Sequence, residues 1–260
     1  VTTDSFATVE SFQTPRPSDV LHYSQTENRY TFIDQNTSTI GVFGEQLDLS
    51  VSFGPGDVLA SQSNQQKTVF QRACNGFATG RKVVYASTLT LFNPGPANPA
   101  LVLNYASYGN LLFSMVTKDG QRLLVRPFGY GFATNAAGLN RTGVVTYSGL
   151  VEGKSSTDAM LFGGQADVTG TLVLTVDFTQ KTFTAVVDLT LTNGGTPLHI
   201  GSFTFQQSGG ADLSMLVGTA SGGSLSGFLA GPAAEEVAIA LYLGPQLGDK
   251  TLRLSGAAKR

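Results

Sequence analysis

Two histidines, one cysteine and one pair of adjacent glutamates hold most of the side-chain chemistry that this sequence offers for ligation or catalysis. His22, in Val20-Leu21-His22-Tyr23, and His199, in Pro197-Leu198-His199-Ile200, are candidate haem or metal ligands, because neutral imidazole is the commonest protein metal ligand. One haem held by both would require them to converge; the competing reading makes each an ordinary surface or strand-end histidine. Glu235 and Glu236 are adjacent, whereas acid–base work by two carboxylates needs them about 5–9 Å apart across a substrate. Neighbours on an extended strand project to opposite faces. The expectation for them is therefore structural, one accepting hydrogen bonds that hold the Gly231-Pro232 turn and the other solvated. Cys74 would need a positioned histidine to act as a thiolate nucleophile, and is expected as a free thiol on a loop.

Known catalytic patterns do not supplement this short inventory. The chain has no G-x-S-x-G elbow, no H-E-x-x-H, no phosphate-binding G-x-x-x-x-G-K-[ST] and no Cys/His pair at zinc spacing. Gly129-Tyr130-Gly131 begins like a dinucleotide loop, but no further glycine or helix follows. Titratable groups are too few and scattered to suggest an enzyme. Charged residues make up 13% of the chain and the net charge is −2, so there is no basic footprint and no nucleic-acid partner is expected. No run of about 18 apolar residues marks a transmembrane helix. The opening VTTDSFATVE is polar and lacks the apolar core of a signal peptide, as in a cytosolic protein or a processed mature form.

The elements that must position these residues are strands. From Leu172, the residues Leu172, Leu174, Val176 and Phe178 are apolar, and Thr171, Thr175, Asp177 and Thr179 between them are polar. After Thr179-Gln180-Lys181 the parity flips to Phe183, Ala185, Val187, Leu189 and Leu191. A period of two broken by a short polar turn is a β-hairpin with one buried face; Asp177 and Asp188 fall on its solvated side. The same signature predicts eight strands, at 142–149, 164–178, 181–191, 198–206, 213–219, 224–230, 236–243 and 250–255. Short Gly, Asn, Asp and Pro turns separate them. Eight such strands can close into an up-and-down barrel, which removes exposed edges. The interior of so small a barrel either fills with side chains or holds one small ligand.

Upstream the pattern is less regular. Residues 1–20 read as an arm with Pro15 and Pro17. Leu47, Leu49, Val51 and Phe53 alternate as one strand, Lys82–Phe92 forms a longer one, and Leu101–Lys118 reads as two runs hinged near Gly109. Asp119-Gly120 is a hairpin turn signal, and Phe132–Asn140 is a linker of small residues.

Several stretches resemble the barrel and its preceding domain in transferrin-binding protein B and related bacterial surface lipoproteins, including factor H-binding protein. They are Thr142-Gly143-Val144-Val145-Thr146-Tyr147-Ser148-Gly149, Leu174-Thr175-Val176-Asp177-Phe178 and Gly231-Pro232-Ala233-Ala234-Glu235-Glu236. Upstream, Leu103-Asn104-Tyr105-Ala106-Ser107-Tyr108-Gly109 and Phe128-Gly129-Tyr130 are similar to the end of the "handle" sheet domain. The likeness covers most of residues 80–260. Where family members usually continue the turn into a glycine pair and a Phe, this chain has Ala238, Ile239 and Leu241.

The resemblance implies an all-β chain. A handle-like β-sheet domain (21–136) follows the arm (1–20) and precedes an eight-stranded antiparallel up-and-down barrel (137–260). It also implies a non-enzymatic protein at the surface of a Gram-negative bacterium, lipid-anchored on a Cys upstream of Val1 or secreted. Such a protein captures an extracellular protein or a nutrient ligand of iron or haem type, often beside a TonB-dependent outer-membrane receptor. No cofactor is expected in that reading. The alternatives are a carrier of haem or of a small apolar ligand, and an adhesion or immune-evasion protein. The aromatics Tyr105, Tyr108, Phe113, Phe128, Tyr130 and Phe132 are expected in the core of the handle–barrel junction. In the second reading Tyr108, Tyr130 or Phe132 is an exposed partner anchor, since aromatics are favoured at interface hot spots.

Overall fold

Strict alternation builds the centre of the molecule. In the computed structural model, which describes residues 6–10, 19–24, 29–34, 38–40, 45–47, 50–78, 81–117, 120–156, 166–192, 197–207, 213–247 and 250–260, the described part is almost entirely β. The first half comprises β1 (Phe6–Glu10), β2 (Asp19–Ser24), β3 (Arg29–Asp34), β4 (Ser38–Ile40), β5 (Glu45–Leu47), β6 (Ser50–Phe53), β7 (Lys67–Ala78), β8 (Arg81–Phe92), β9 (Ala106–Thr117) and β10 (Gly120–Phe132). A single helical turn, α1 (Ala136–Leu139), leads into the second half. There follow β11 (Val144–Ser156), β12 (Ala166–Asp177), β13 (Thr182–Thr192), β14 (Leu198–Gln207), β15 (Leu216–Ala220), β16 (Gly223–Ala230), β17 (Glu236–Leu247) and β18 (Lys250–Lys259).

β11 to β18 form a closed antiparallel barrel in sequence order, sealed by β18 against β11. The predicted hairpin is β12–β13, with Leu172 opposite Val187, Leu174 opposite Ala185 and Val176 opposite Phe183. Each of these six side chains is buried, while Thr171, Val173, Val186 and Asp188 face out. Asp177 Oδ1 accepts the N–H groups of Thr179 and Gln180 at 2.9 and 3.0 Å, and Lys181 takes a positive φ of 55°, which together turn the chain. Inside, Tyr147, Phe205, Leu225, Ile239, Leu241, Leu252 and Leu254 join the hairpin residues in one continuous apolar cluster. Each such side chain contributes about 1.5–3 kcal/mol by leaving water. Of the two interiors open to a small barrel, this one is filled with side chains.

The first half makes a seven-stranded sheet, β1-β10-β9-β8-β7-β5-β4, and a three-stranded sheet, β2-β3-β6. Several sequence expectations change here. Phe6–Glu10, within the expected arm, pairs with β10 from Phe128 to Phe132. A five-residue edge strand gains its order from the partner's hydrogen bonds, so its own pattern need not show it. The alternation from Leu47 to Phe53 is split between β5 and β6, which belong to different sheets. Cys74 lies within β7 opposite Tyr85 and not on a loop. Gly109 is no hinge, for β9 runs straight through it. A Cβ at that position would meet Thr90 O at 2.6 Å and Phe128 Cζ at 2.8 Å, so the glycine marks a close approach. The turn residues 118–119, 193–196, 208–210 and 248–249 lie outside the described residues.

Candidate functional site

The seven-stranded sheet lies against the outer wall of the barrel. Small residues set the separation: a Cβ on Gly129 would come within 2.8 Å of the Ala238 Cβ. Ala106, Phe228, Ala230 and Ala238 form one buried cluster there, and Phe92, Leu101, Leu103, Tyr108 and Ala257 form another. Ser255 Oγ donates to Gly109 O at 2.9 Å across the seam.

Glu236 fastens this junction. It opens β17, is only 2% exposed, and reaches out of the barrel to the chain entering β9. Its Oε1 accepts the Asn104 N–H at 2.7 Å, and its Oε2 accepts the N–H groups of Tyr105 and Ala106, both at 2.8 Å. Hydrogen bonds to a carboxylate are roughly twice as strong as neutral ones. The expected solvated glutamate is thus a latch between the two halves. Its neighbour behaves as expected: Glu235 Oε2 accepts the Ala233 N–H at 2.9 Å and holds the turn. Gly231 at φ 90° and Ala234 at φ 55° shape that turn. Thr134 Oγ1 donates to Gly231 O, Arg141 to Ala233 O and Tyr147 Oη to Ala234 O, at 2.8, 2.8 and 2.7 Å. Burial pushes the Tyr147 hydroxyl up to about 12, so it remains a donor.

The other singled-out residues scatter. Tyr108 is 1% exposed and stacks on Phe92 with ring centroids 4.6 Å apart. Tyr130 is 7% exposed, and its hydroxyl donates to Phe92 O at 3.4 Å. Both belong to the junction core, which removes them as exposed anchors; Phe132 is half-buried. His199 is 64% exposed on the barrel's outer surface, where Nε2 lies 2.7 Å from Asp188 Oδ1. Ser202 Oγ donates to the same oxygen at 2.9 Å. The carboxylate sits between serine and histidine, so the trio lacks the serine–histidine contact of a hydrolytic triad. The hydrogen bonds from His199 and Ser202 hold the Asp188 carboxyl below the usual range. His22 lies in β2 opposite Thr31, in a different sheet from His199, and its side chain lies outside the described residues. Among the described residues no group of three or more His, Cys, Asp or Glu could hold a metal ion, and no helix is long and apolar enough to cross a membrane.

Away from the latch the sheet and barrel diverge around a cleft of about 700 Å³. The sheet contributes Lys67, Gln71, Thr88, Thr90 and Asn110; the barrel contributes Glu152, Lys154, Asp167 and Thr169. Strand register puts the sheet residues on one face: Thr90 pairs with Asn110 and Val69, and Thr88 with Leu112 and Gln71. That face is apolar beside the latch and polar along the cleft. Lys154 Nζ is hydrogen-bonded to Asp167 Oδ1. Burial, more than any neighbouring charge, raises the Glu152 carboxyl above its usual range; Lys67 and Lys154 oppose the rise and Asp167 adds to it. Sequence reasoning did not find this cleft, because its lining is spread over seven strands with no local motif.

No family model and no curated protein matches the chain. Among solved structures, it is similar to a double mutant of the transferrin-binding protein B vaccine antigen of Haemophilus parasuis Hp5. That match has 14% identity and a TM-score of 0.49, over 98% of this chain and 44% of the other. It is also similar to isotype 1 transferrin-binding protein B of serogroup B Neisseria meningitidis, at 15% identity and a TM-score of 0.39, over 82% of this chain and 38% of the other. The chain thus spans less than half the length of either protein.

Proposed function

We propose that this chain is a non-enzymatic binding protein of a Gram-negative cell surface, lipid-anchored upstream of Val1 or secreted. It captures an extracellular protein or a nutrient ligand of iron or haem type and hands it to a TonB-dependent outer-membrane receptor. The observation that carries this reading is the sheet latched by Glu236 to a solid barrel. With the interior filled, ligands must be met by outer surfaces, loops and the cleft, on a scaffold held rigid. The sequence resemblance supports it too, since the Gly231–Glu236 turn is the segment that builds the junction.

The test is saturable retention by the immobilised full chain. Host extracellular fluid and purified iron sources are passed over it, and bound species are identified and titrated. A defined extracellular protein or iron source retained at fixed stoichiometry is the expected result. No saturable retention of either class overturns the reading. Haemin is titrated separately: a Soret shift lost in His199→Ala would make haem the ligand.

A further inference from the structure

Among the described residues, two acceptors of the cleft receive no protein hydrogen bond: Asn110 Oδ1, shut off from solvent, and the Glu152 carboxyl, open to the cleft. Asn110 Oδ1 is buried without a hydrogen-bond partner. Glu152, on the opposite wall, receives no hydrogen bond from any described residue, and the nearest ammonium on its own strand, Lys154, is committed to Asp167. Buried acceptors are normally satisfied, so an exception calls for an explanation. Here burial also disfavours the Glu152 charge. A volume of about 700 Å³ falls within the range of small-ligand sites. The deficit is one of hydrogen-bond donors, for the ammonium groups of Lys67 and Lys154 already match the carboxylates of Glu152 and Asp167 in number.

We infer that the cleft binds an ammonium or guanidinium group, with Glu152 as its counter-charge and the Asn110 amide oxygen, turned out toward the cleft, as a second acceptor. The hydroxyls of Thr88, Thr90 and Thr169 supply adaptable hydrogen bonds around it. Lys67, facing the same space from β7, adds affinity for a cation that also carries an anionic or carbonyl group. A free basic amino acid and a basic side chain of a captured protein share this chemistry. The inference deepens the capture reading and rests on it for its biological use.

The test titrates the intact 260-residue chain with ethylguanidinium and, at equal ionic strength, with tetramethylammonium, which has charge but no N–H donor. Amide resonances of Gly153 and Thr169, both in the cleft lining, report binding. Saturable shifts with ethylguanidinium alone are expected, weakened at least tenfold in Glu152→Gln and several-fold in Asn110→Leu. Glu152→Gln is isosteric, and its unfolding midpoint confirms that it remains folded. Equal responses to both cations, no saturable response, or undiminished binding in Glu152→Gln overturns the inference. L-Arginine and an end-blocked Gly-Arg-Gly peptide then separate the sources. Tighter binding of the amino acid marks a solute site and tighter binding of the peptide a protein-docking site; both support the shared chemistry. Because small probes are used alone, their failure leaves the capture reading standing, and failed capture leaves the titration result intact.

Discussion

Glu236 accepts three backbone N–H groups from a segment 130 residues earlier, and truncating it would leave all three without that acceptor, the Ala106 N–H among them buried. Glu236→Ala is therefore expected to destabilise the protein by about 3 kcal/mol or more, read from urea unfolding, against about 1 kcal/mol for Glu235→Gln. Glu152 behaves oppositely. Its carboxyl is raised in the folded state, so its favourable contribution is present below the ordinary Glu range and is lost as pH rises through the folded value. Glu152→Gln should then raise the unfolding midpoint at pH 7, with the gain vanishing toward pH 4. Asp188 is depressed by His199, so His199→Ala should return its titration toward the usual carboxylate range, as followed by NMR of the side-chain carbons. The adjacent glutamates stand out in the sequence, but the partners of Glu236 lie too far along the chain for spacing to reveal them.

Among the elements, the β12–β13 hairpin was legible in full because each strand buries one face and exposes the other. The barrel strands expected at 181–191, 198–206 and 224–230 lie within a residue or so of those observed. The sheet was harder to read, since its strands have partners on both faces and its edge strand β1 is ordered by β10. Glycines carried an ambiguous signal: Gly109 has the composition of a hinge and the role of a spacer. The same role at Gly129 gives a prediction. Gly129→Ala places a methyl 2.8 Å from Ala238 Cβ, and should cost about 1–3 kcal/mol by overpacking. A paired Ala238→Gly change should recover part of that loss, measured as a double-mutant cycle on the unfolding midpoint.

For the molecule as a whole, the latch, the Ser255 contact and the two apolar clusters make the sheet and the barrel share one interface. A single cooperative unfolding transition follows, and calorimetry should show one peak. In Glu236→Ala the sheet should loosen first, with amide exchange rising in β8–β10 before β12–β13. The function was only partly legible, since a cleft between two separately patterned surfaces exists only once they are docked.

The barrel is sealed by β18 against β11, from Ser148–Lys259 to Ser156–Thr251. As the chain is synthesised, two sheet edges therefore stay open until β18 emerges, and unpaired edges are templates for aggregation. Closure of the barrel is thus timed by the arrival of β18. A nascent chain stopped at residue 249 should be protease-sensitive and bind chaperones, and release of the final strand should convert it to the resistant form.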